Sequence, residues 1–270
     1  MFSGSLVAVI TPMRHDGTID LAAWFRLVDF HASNGTSCLV VGGTTGESAT
    51  LTDAELDELT RLAVQHAAGR LAVVAGAGTS STAATVARVA RLSQLGVEGL
   101  LVVTPAYVRP TQEGLYRHFE AVAAASRVPL ILYNVPSRTA VDLLPATVAR
   151  LAKLPRIVAI KEAVDSMERV RELVRLVPPG FTVLSGDDAT AREAVAHGAR
   201  GVVSVTANVA PRQVADMIAA ARQGTRLPPG ESASGAVLGA KPDSRQMGCH
   251  ETGTCAGGDP SAADCARAGP

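Results

Sequence analysis

Short apolar runs recur along residues 1–223 and alternate with segments that have a helical period. Within each run polar and apolar residues do not alternate, which is typical of parallel strands buried on both faces of a sheet. The runs begin at Leu6, Cys38, Leu71, Leu100, Leu130, Ile157, Thr182 and Val202. We therefore predict eight buried strands.

The segments between these runs carry the signals of helices. The first begins at Leu21, and its broad apolar face comprises Leu21, Trp24, Phe25, Leu27 and Val28. Thr52 and Glu55 have the spacing of a capping box at the start of the next helix. Pro211 suits the first turn of the last helix.

Eight strand–helix repeats predict an α/β fold, a (β/α)8 (TIM) barrel, which typically takes about 250 residues. An open doubly wound sheet is the alternative, because the closure of a sheet is not visible in a local pattern. No G-x-G-x-x-G sequence follows the first run, which argues against a dinucleotide-binding sheet.

Composition and charge argue against several classes of protein. The 25 basic residues balance 25 acidic residues, so the chain lacks the basic surface of a nucleic-acid binder. No apolar run approaches the roughly 20 residues that span a bilayer, and the N-terminus lacks the basic residues of a signal peptide. Cys38 is the single cysteine of residues 1–223, which favours a cytoplasmic protein without disulfides.

Polar residues follow the eight apolar runs, where a barrel enzyme places its chemistry. In chain order they are Thr11, Gly42–Glu47, Gly76–Gly78, Thr104–Tyr107, Tyr133–Asn134, Lys161–Glu162, Ser185–Asp188 and Thr206–Asn208. The carboxyl ends of parallel strands meet at one rim of a barrel. We therefore expect an active site at this rim.

Lys161 closes the apolar run that begins at Ile157. Burial disfavours the ammonium form of a lysine and favours a neutral amine that attacks a carbonyl carbon. The alternative is a structural ion pair, with Glu162 as a candidate partner. Tyr133 ends the preceding run, where its phenol either transfers protons or serves only in packing.

Other groups at the predicted rim extend this chemistry. Thr44, Thr45 and Tyr107 supply hydroxyl groups for a proton relay, and the glycines around the threonines free backbone N–H groups to bind a carboxylate. A plain tight turn is the alternative for the glycines. Arg138 either binds a carboxylate through its planar guanidinium or is a surface arginine. The rim lacks a cluster of His, Cys and carboxylates, which argues against a metal-dependent aldolase.

Residues 1 to about 224 resemble the dihydrodipicolinate synthase family, class I aldolase-type barrels of lysine and diaminopimelate biosynthesis. The resemblance rests on several long motifs. They are GTTGESATL at Gly43–Leu51, TPAY at Thr104–Tyr107, RPTQEGLYRHF at Arg109–Phe119, YNVPSRT at Tyr133–Thr139, IKEA at Ile160–Ala163, LSGDDA at Leu184–Ala189 and GVVSVTANV at Gly201–Val209.

The resemblance implies an imine mechanism without a metal or another cofactor. Lys161 would form the imine with pyruvate, and Tyr133 would transfer protons with Thr45 and Tyr107 as its relay. Arg138 would bind the carboxylate of the second substrate, L-aspartate 4-semialdehyde. The product would be 4-hydroxy-tetrahydrodipicolinate. Other residues expected to line the site are Thr44, Gly186 and Val203.

In this family the tyrosine corresponding to Tyr107 is inserted from the neighbouring subunit, which implies a homodimer or homotetramer. Relatives that cleave N-acetylneuraminate or keto-deoxy sugar acids share the imine lysine but typically lack the arginine corresponding to Arg138. Such a pyruvate-dependent aldolase is one alternative, and an inactive relic is another. The lysine-inhibitor site of enterobacterial members also differs here, so we expect weak or absent feedback inhibition; the divergent positions are Asp53, Leu56, Ser80, Ala84 and Ala106.

Residues 224–270 do not resemble the family. They stand where its members have a helical C-terminal region. Cys249, His250 and Cys255 suggest a metal site at first sight. Met247 is encoded only by ATG, however, and the codon of Gly248 begins with G, so a shift of one nucleotide gives TGG, tryptophan. With permitted codons the same shift turns residues 232–254 into LHRALFSEPNPIPVKWAATKLGL, which resembles the family's C-terminal text.

We therefore interpret the C-terminal segment as the product of a reading-frame shift between Gly224 and Ser232. The predicted organisation is a barrel domain over residues 1–223 and an aberrant, poorly ordered tail over residues 224–270. Under this hypothesis Cys249, His250 and Cys255 bind no metal. The nucleotide sequence tests it directly, since a single shift must restore the family's text.

Overall fold

The computed structural model describes residues 2–224, which form a closed barrel of eight parallel strands surrounded by helices. The strands are β1 (Gly4–Ala8), β2 (Cys38–Val41), β3 (Ala72–Gly76), β4 (Gly99–Val103), β5 (Leu130–Asn134), β6 (Ile157–Glu162), β7 (Thr182–Ser185) and β8 (Gly201–Ser204). The predicted (β/α)8 barrel is confirmed. The open sheet is wrong, because β1 pairs with β8 as well as with β2.

Helices follow the strands and cover the outside of the barrel. They are α1 (Leu21–Ser33), α2 (Asp53–Ala67), α3 (Thr82–Leu92), α4 (Gln112–Ala125), α5 (Pro136–Thr139), α6 (Pro145–Leu151), α7 (Met167–Leu176), α8 (Ala191–Ala196) and α9 (Pro211–Arg222). The predicted capping box is present, since Thr52 and Glu55 bond to each other's backbone N–H groups at the start of α2. Pro211 occupies the first turn of α9. No helix within residues 2–224 has the length and apolar character needed to cross a bilayer.

Side chains on each strand alternate between the barrel interior and the layer beneath the helices. On β1, Leu6 belongs to the interior cluster and Val7 to the outer one. Tyr133 and Val203 also lie in the interior cluster. Both faces of the strands are therefore buried, which explains why the sequence shows continuous apolar runs.

The first strand ends earlier than its apolar run predicts. β1 stops at Ala8, although the run continues through Val9 and Ile10. The Ile10 N–H donates to the side-chain oxygen of Asn208, 3.0 Å away, while the Asn208 amide donates to the carbonyl of Ala8 at 2.9 Å. A side chain from beyond β8 therefore replaces the strand partner at the end of β1.

Polar side chains connect neighbouring loops around the carboxyl rim. Asp188, after β7, accepts hydrogen bonds from the N–H groups of Val205 and Thr206, after β8, each at 2.9 Å. The Thr11 hydroxyl donates to the carbonyl of Gly46 at 2.8 Å. These bonds fix the rim on which the candidate site lies.

The predicted barrel domain, residues 1–223, lies within the described residues except for Met1, and its boundary with the tail stays a prediction. Of the predicted C-terminal tail, residues 225–270 lie outside the described residues. Cys249, His250 and Cys255 fall in that range. The reading-frame hypothesis stays a prediction.

Candidate active site

Lys161 and Tyr133 face each other on adjacent strands at the carboxyl end of the barrel. They are paired in the register of β5 and β6, and the Lys161 Nζ lies 4.3 Å from the centroid of the Tyr133 ring. Lys161 is 5% exposed and Tyr133 is 6% exposed. A buried amine therefore lies beside a buried tyrosine ring, an arrangement that agrees with the chemistry expected for Lys161.

The ion pair considered for Lys161 does not form. Glu162 is the next residue on β6, so its side chain points to the opposite face of the strand. There its carboxylate accepts hydrogen bonds from the side chain of Asn134 and from the N–H of Val164. Within residues 2–224 no carboxylate forms an ion pair with Lys161.

Gly186 leaves the space that the Lys161 side chain occupies. A Cβ atom at position 186 would lie 3.1 Å from the Lys161 Cε and 2.9 Å from the Cβ of Ala163. The Gly186 N–H donates to the carbonyl of Glu162 at 2.7 Å, which holds the loop against β6. A side chain here would displace the lysine or the loop.

The glycine-rich turn after β2 forms one wall of the site. Gly43 accepts hydrogen bonds from the N–H groups of Gly46 (3.1 Å) and Ser48 (3.3 Å), and Thr44 accepts one from Glu47 (3.1 Å). In the described part of the chain, the N–H groups of Thr44 and Thr45 donate to no backbone carbonyl. These two donors are available to a carboxylate.

A pocket opens between this turn, the end of β3 with the loop that follows it, strand β4, and Tyr133. Its lining comprises Gly42, Gly43, Thr44, Ser48, Gly76, Ala77, Gly78, Arg88, Leu101, Val103 and Tyr133. A Cβ atom at position 76 would lie 2.1 Å from the carbonyl oxygen of Gly42, and one at position 78 would lie 2.6 Å from the Val103 N. The two glycines therefore let the end of β3 and the loop after it approach the turn after β2 and strand β4 closely enough to form the pocket wall.

Arg88 is a member of this pocket that the sequence did not indicate. Its guanidinium is 2.7 Å from the carboxylate of Asp53, on the neighbouring helix. Nothing in a helical segment such as α3 distinguishes a residue facing a pocket from a solvated one. Only the packing of α3 beside α2 identifies it.

Tyr107 and Arg138 occupy the rim but extend away from the protomer's own core. Tyr107 is 91% exposed and has a φ of 72°. Arg138, on the short helix α5, is also exposed. Among the described residues, Tyr133 makes no hydrogen bond to Thr45 or Tyr107, so the predicted relay is not assembled within one chain.

A buried polar network lies on the outer face of the strands that carry Tyr133 and Lys161. Asn134 and Glu162 are paired in register and buried. The Asn134 amide donates to Glu162 at 3.0 and 3.1 Å and to Asp142 at 2.8 Å. Arg169, on α7, donates to both oxygens of Asp142, at 3.0 and 2.6 Å.

The two carboxyl groups of this network differ in their acidity. Burial raises the pKa of Glu162 to about 7, against the opposing effect of hydrogen bonds from Val164 and Asn134. For Asp142, burial also favours the protonated form, but the hydrogen bonds from Arg169 and Asn134 outweigh it and lower the pKa. In the sequence, Asn134 and Glu162 are visible as polar residues that end apolar strands. No local pattern connects either of them with Asp142 or Arg169.

Among residues 2–224, no group of three or more His, Cys, Asp or Glu side chains is arranged to hold a metal ion. The cysteine in this region, Cys38, is buried and its pKa is raised by that burial, so it has the character of a core residue.

Comparison with known proteins identifies the family. The Dihydrodipicolinate synthetase family matches residues 1–227. The chain belongs to this family. A relative from Methylococcus capsulatus named 4-hydroxy-tetrahydrodipicolinate synthase is 53% identical over 226 residues, which cover 84% of this chain and 78% of the relative.

Solved structures of dihydrodipicolinate synthases share the barrel. The enzyme from Aquifex aeolicus is 46% identical with a TM-score of 0.81, and the match covers 83% of this chain and 76% of that one. The chloride-inhibited enzyme from Acinetobacter baumannii, solved in complex with pyruvate, is 42% identical with a TM-score of 0.81, covering 83% and 78%. The family resemblance read from the motifs is therefore confirmed.

Proposed function

We propose that this chain is a lyase-type synthase that condenses pyruvate with L-aspartate 4-semialdehyde to give 4-hydroxy-tetrahydrodipicolinate. The observation that supports this most directly is the buried amine of Lys161 beside the Tyr133 ring, in a chain 53% identical to a protein of that name. The activity belongs to lysine and diaminopimelate biosynthesis.

In the proposed reaction the Lys161 amine attacks the ketone carbon of pyruvate to form a carbinolamine, which loses water to give an imine. Loss of a proton from the pyruvate methyl group then gives an enamine. The enamine carbon then forms a bond to the aldehyde carbon of the second substrate, the aldehyde oxygen takes up a proton to become a hydroxyl, and the link to Lys161 is again an imine. The amine of that substrate next displaces Lys161 from the imine carbon, which closes the ring and frees the enzyme.

Tyr133 is the proposed proton-transfer residue, because its ring contacts Lys161 and its side chain lines the pocket. Thr45 and the partner subunit's Tyr107 complete the proposed relay. Tyr107 is almost fully exposed in one protomer, and a large aromatic side chain held in this way fits insertion into a second copy. A homodimer is the smallest assembly that completes the site, and a homotetramer contains the same contact.

The substrate carboxylates have separate proposed partners. The free N–H groups of Thr44 and Thr45 face the pyruvate carboxylate, as expected for a backbone anion site. Arg138 binds the carboxylate of aspartate semialdehyde through its guanidinium group. Gly186 gives the Lys161 side chain its space, and Val203 is the proposed lining residue from β8, buried in the barrel interior. We place this reaction in the cytoplasm, where the buried thiol of Cys38 remains reduced.

Reductive trapping tests the proposed function. Incubation with pyruvate and borohydride should add one reduced pyruvate group per chain, and peptide mapping should place it on Lys161 and not on the other lysines of the chain, Lys153 and Lys241. Lys161→Ala should form no adduct, while Lys153→Arg should form it like the wild type. A folded wild-type protein without an adduct would refute the imine mechanism.

The second substrate is tested by product formation. Condensation with aspartate semialdehyde, followed as loss of pyruvate, should depend on Arg138, so Arg138→Ala should raise the KM for the semialdehyde. An adduct on Lys161 without condensation, together with cleavage of a keto-deoxy sugar acid, would favour the aldolase alternative.

A further inference from the structure

The segment that carries Arg138 begins directly after Asn134, and the side chain of Asn134 also holds its far end. Its Nδ2 donates to the Asp142 carboxylate at 2.8 Å, and its Oδ1 accepts the N–H of Leu143 at 2.9 Å. The segment 135–143 therefore leaves β5 at Asn134 and returns to the same residue. Thr139, inside the segment, accepts a hydrogen bond from Thr104 at 3.1 Å and reinforces this closure.

Asn134 is itself held by Glu162 on the adjacent strand. The Asn134 Nδ2 lies 3.0 and 3.1 Å from the two carboxylate oxygens of Glu162. Asn134 and Glu162 immediately follow Tyr133 and Lys161 in the same register. The side chain that holds the Arg138 segment is therefore bonded to the strand that carries Lys161, one residue beyond Lys161 itself.

Arg169 anchors the other side of this closure to the helix layer. It binds Asp142 through two hydrogen bonds, and its Nη1 lies 3.8 Å from Glu162. Asn134 is fully buried, so its hydrogen bonds have no competition from water. The network provides partners for both the nitrogen and the oxygen of the Asn134 amide.

We propose that Asn134 is a positioning residue for the second substrate: by holding Asp142 and Leu143 against Glu162, it sets the position of Arg138 relative to the Lys161 imine. Asn134 faces away from the pocket and touches no substrate. This inference rests on the proposed function, because it assigns Arg138 to the semialdehyde carboxylate. It predicts that loss of the closure weakens semialdehyde binding more than pyruvate binding.

The first test is hydrogen exchange of the segment 135–143 in Asn134→Ala, which does not depend on activity. We expect exchange there to be faster by about tenfold or more than in the wild type, with helix α9 unchanged. The matched control is Asn208→Ala, since Asn208 makes the same kinds of bonds, to Ile10, Ala8 and Val205, at a different part of the rim. That control should leave the segment 135–143 unaffected.

The second test is steady-state kinetics with both substrates. Asn134→Ala should raise the KM for aspartate semialdehyde by about tenfold or more, with the KM for pyruvate and the borohydride adduct on Lys161 close to wild type. If this buried variant does not fold, Asp142→Ala breaks the same closure at a half-buried position and should show the same selectivity. Asp142→Asn, which keeps an acceptor for Asn134, should restore most of the affinity.

Two results would overturn the proposal. One is unchanged exchange over residues 135–143 in a folded Asn134→Ala or Asp142→Ala variant. The other is an equal rise in both KM values, as a general loss of stability would give. A wild-type protein without a pyruvate adduct would refute the proposed function instead, while the exchange experiment would still decide how the segment is held.

Discussion

Glu162 shows how one residue on the outer face of a strand influences the stability of the whole barrel. Its carboxyl group is buried, and its hydrogen bonds come from Asn134 and Val164. Burial disfavours the charged form and raises the pKa of Glu162 in the native state from its ordinary value of 4.5 to about 7. Between these two values the native protein retains a proton that the unfolded chain has released.

The sign of the resulting pH effect follows from proton linkage. The unfolded state binds fewer protons than the native state between pH 4.5 and 7, so the free energy of unfolding falls as the pH rises. We expect Glu162→Gln, which cannot ionise, to lack this fall in the free energy of unfolding. Relative to wild type it should gain at most about 3 kcal/mol between pH 4.5 and 8, measured by urea unfolding.

Two features of that experiment keep it specific. Burial lowers the pKa of His31 and of His118 to about 4, which gives the wild type an opposite slope at acid pH, so the variant is compared with wild type at each pH. Glu58→Gln removes an exposed carboxyl on α2 and controls for the loss of one charge. Parallel curves for Glu162→Gln and wild type would contradict the assignment.

At the scale of elements, the helices begin where local signals place them, whereas the closure of the sheet depends on contacts between distant strands. Thr52 and Glu55 start α2 through bonds within three residues of each other. The β1–β8 seam instead brings together residues almost two hundred positions apart, such as Gly4 and Gly201.

We expect Gly201→Ala to disrupt this seam. A Cβ atom at position 201 would lie 2.2 Å from the carbonyl oxygen of Gly4 and 2.6 Å from its N, and neither is a flexible side-chain atom. The free energy of unfolding should fall by about 3 kcal/mol or more, since the two strands must separate. Urea unfolding followed by circular dichroism measures it.

Gly114→Ala is the matched control for this substitution. Gly114 lies in α4, and an added Cβ would meet only side-chain atoms of Pro110 and Thr111, at 3.3 and 3.4 Å. Because alanine also has the higher helix propensity, the free energy of unfolding should change by less than about 1 kcal/mol. Equal losses in the two variants would contradict a special role of the seam.

At the scale of the whole molecule, the proposed site contains a residue from a second chain. Tyr107 is 91% exposed, and Val108 beside it is 56% exposed. Backbone φ values of 72° at Tyr107 and 47° at Arg109 are costly for residues with side chains, which indicates a loop held in a specific shape. The proposed insertion into a partner subunit would account for that shape.

Mixing two inactive variants tests this insertion. Lys161→Ala and Tyr107→Phe should each have little activity, but a mixed dimer contains one site with an intact Lys161 and the partner subunit's Tyr107. After random exchange of subunits, activity should return to about a quarter of wild type. Mixing Lys161→Ala with Tyr133→Phe should give no recovery, because both residues belong to the same chain's site.

Two outcomes would argue against the shared site. One is a protein that sediments as a monomer while active. The other is an absence of recovery in the first mixture, with subunit exchange demonstrated by mass-labelled chains. Either result would confine the relay to residues of a single protomer.

The number and order of the strands could be read from the sequence, because burial on both faces leaves continuous apolar runs that a local pattern records. It also placed Lys161 and Tyr133 at strand ends, and its long motifs indicated the family. Boundaries were less certain: β1 ends at Ala8 because Asn208, far along the chain, takes the place of a strand partner. No local pattern contains that contact.

Which polar residues act together depends on the three-dimensional fold. Pairing of β5 with β6 puts Lys161 against Tyr133 inside the barrel, and the same register puts Asn134 against Glu162 outside it. Asp142 and Arg169 join that network from a loop and a helix that the sequence analysis did not connect. Hydrogen bonds between distant residues depend on the register and closure of the sheet, and a one-dimensional pattern of apolar residues specifies neither.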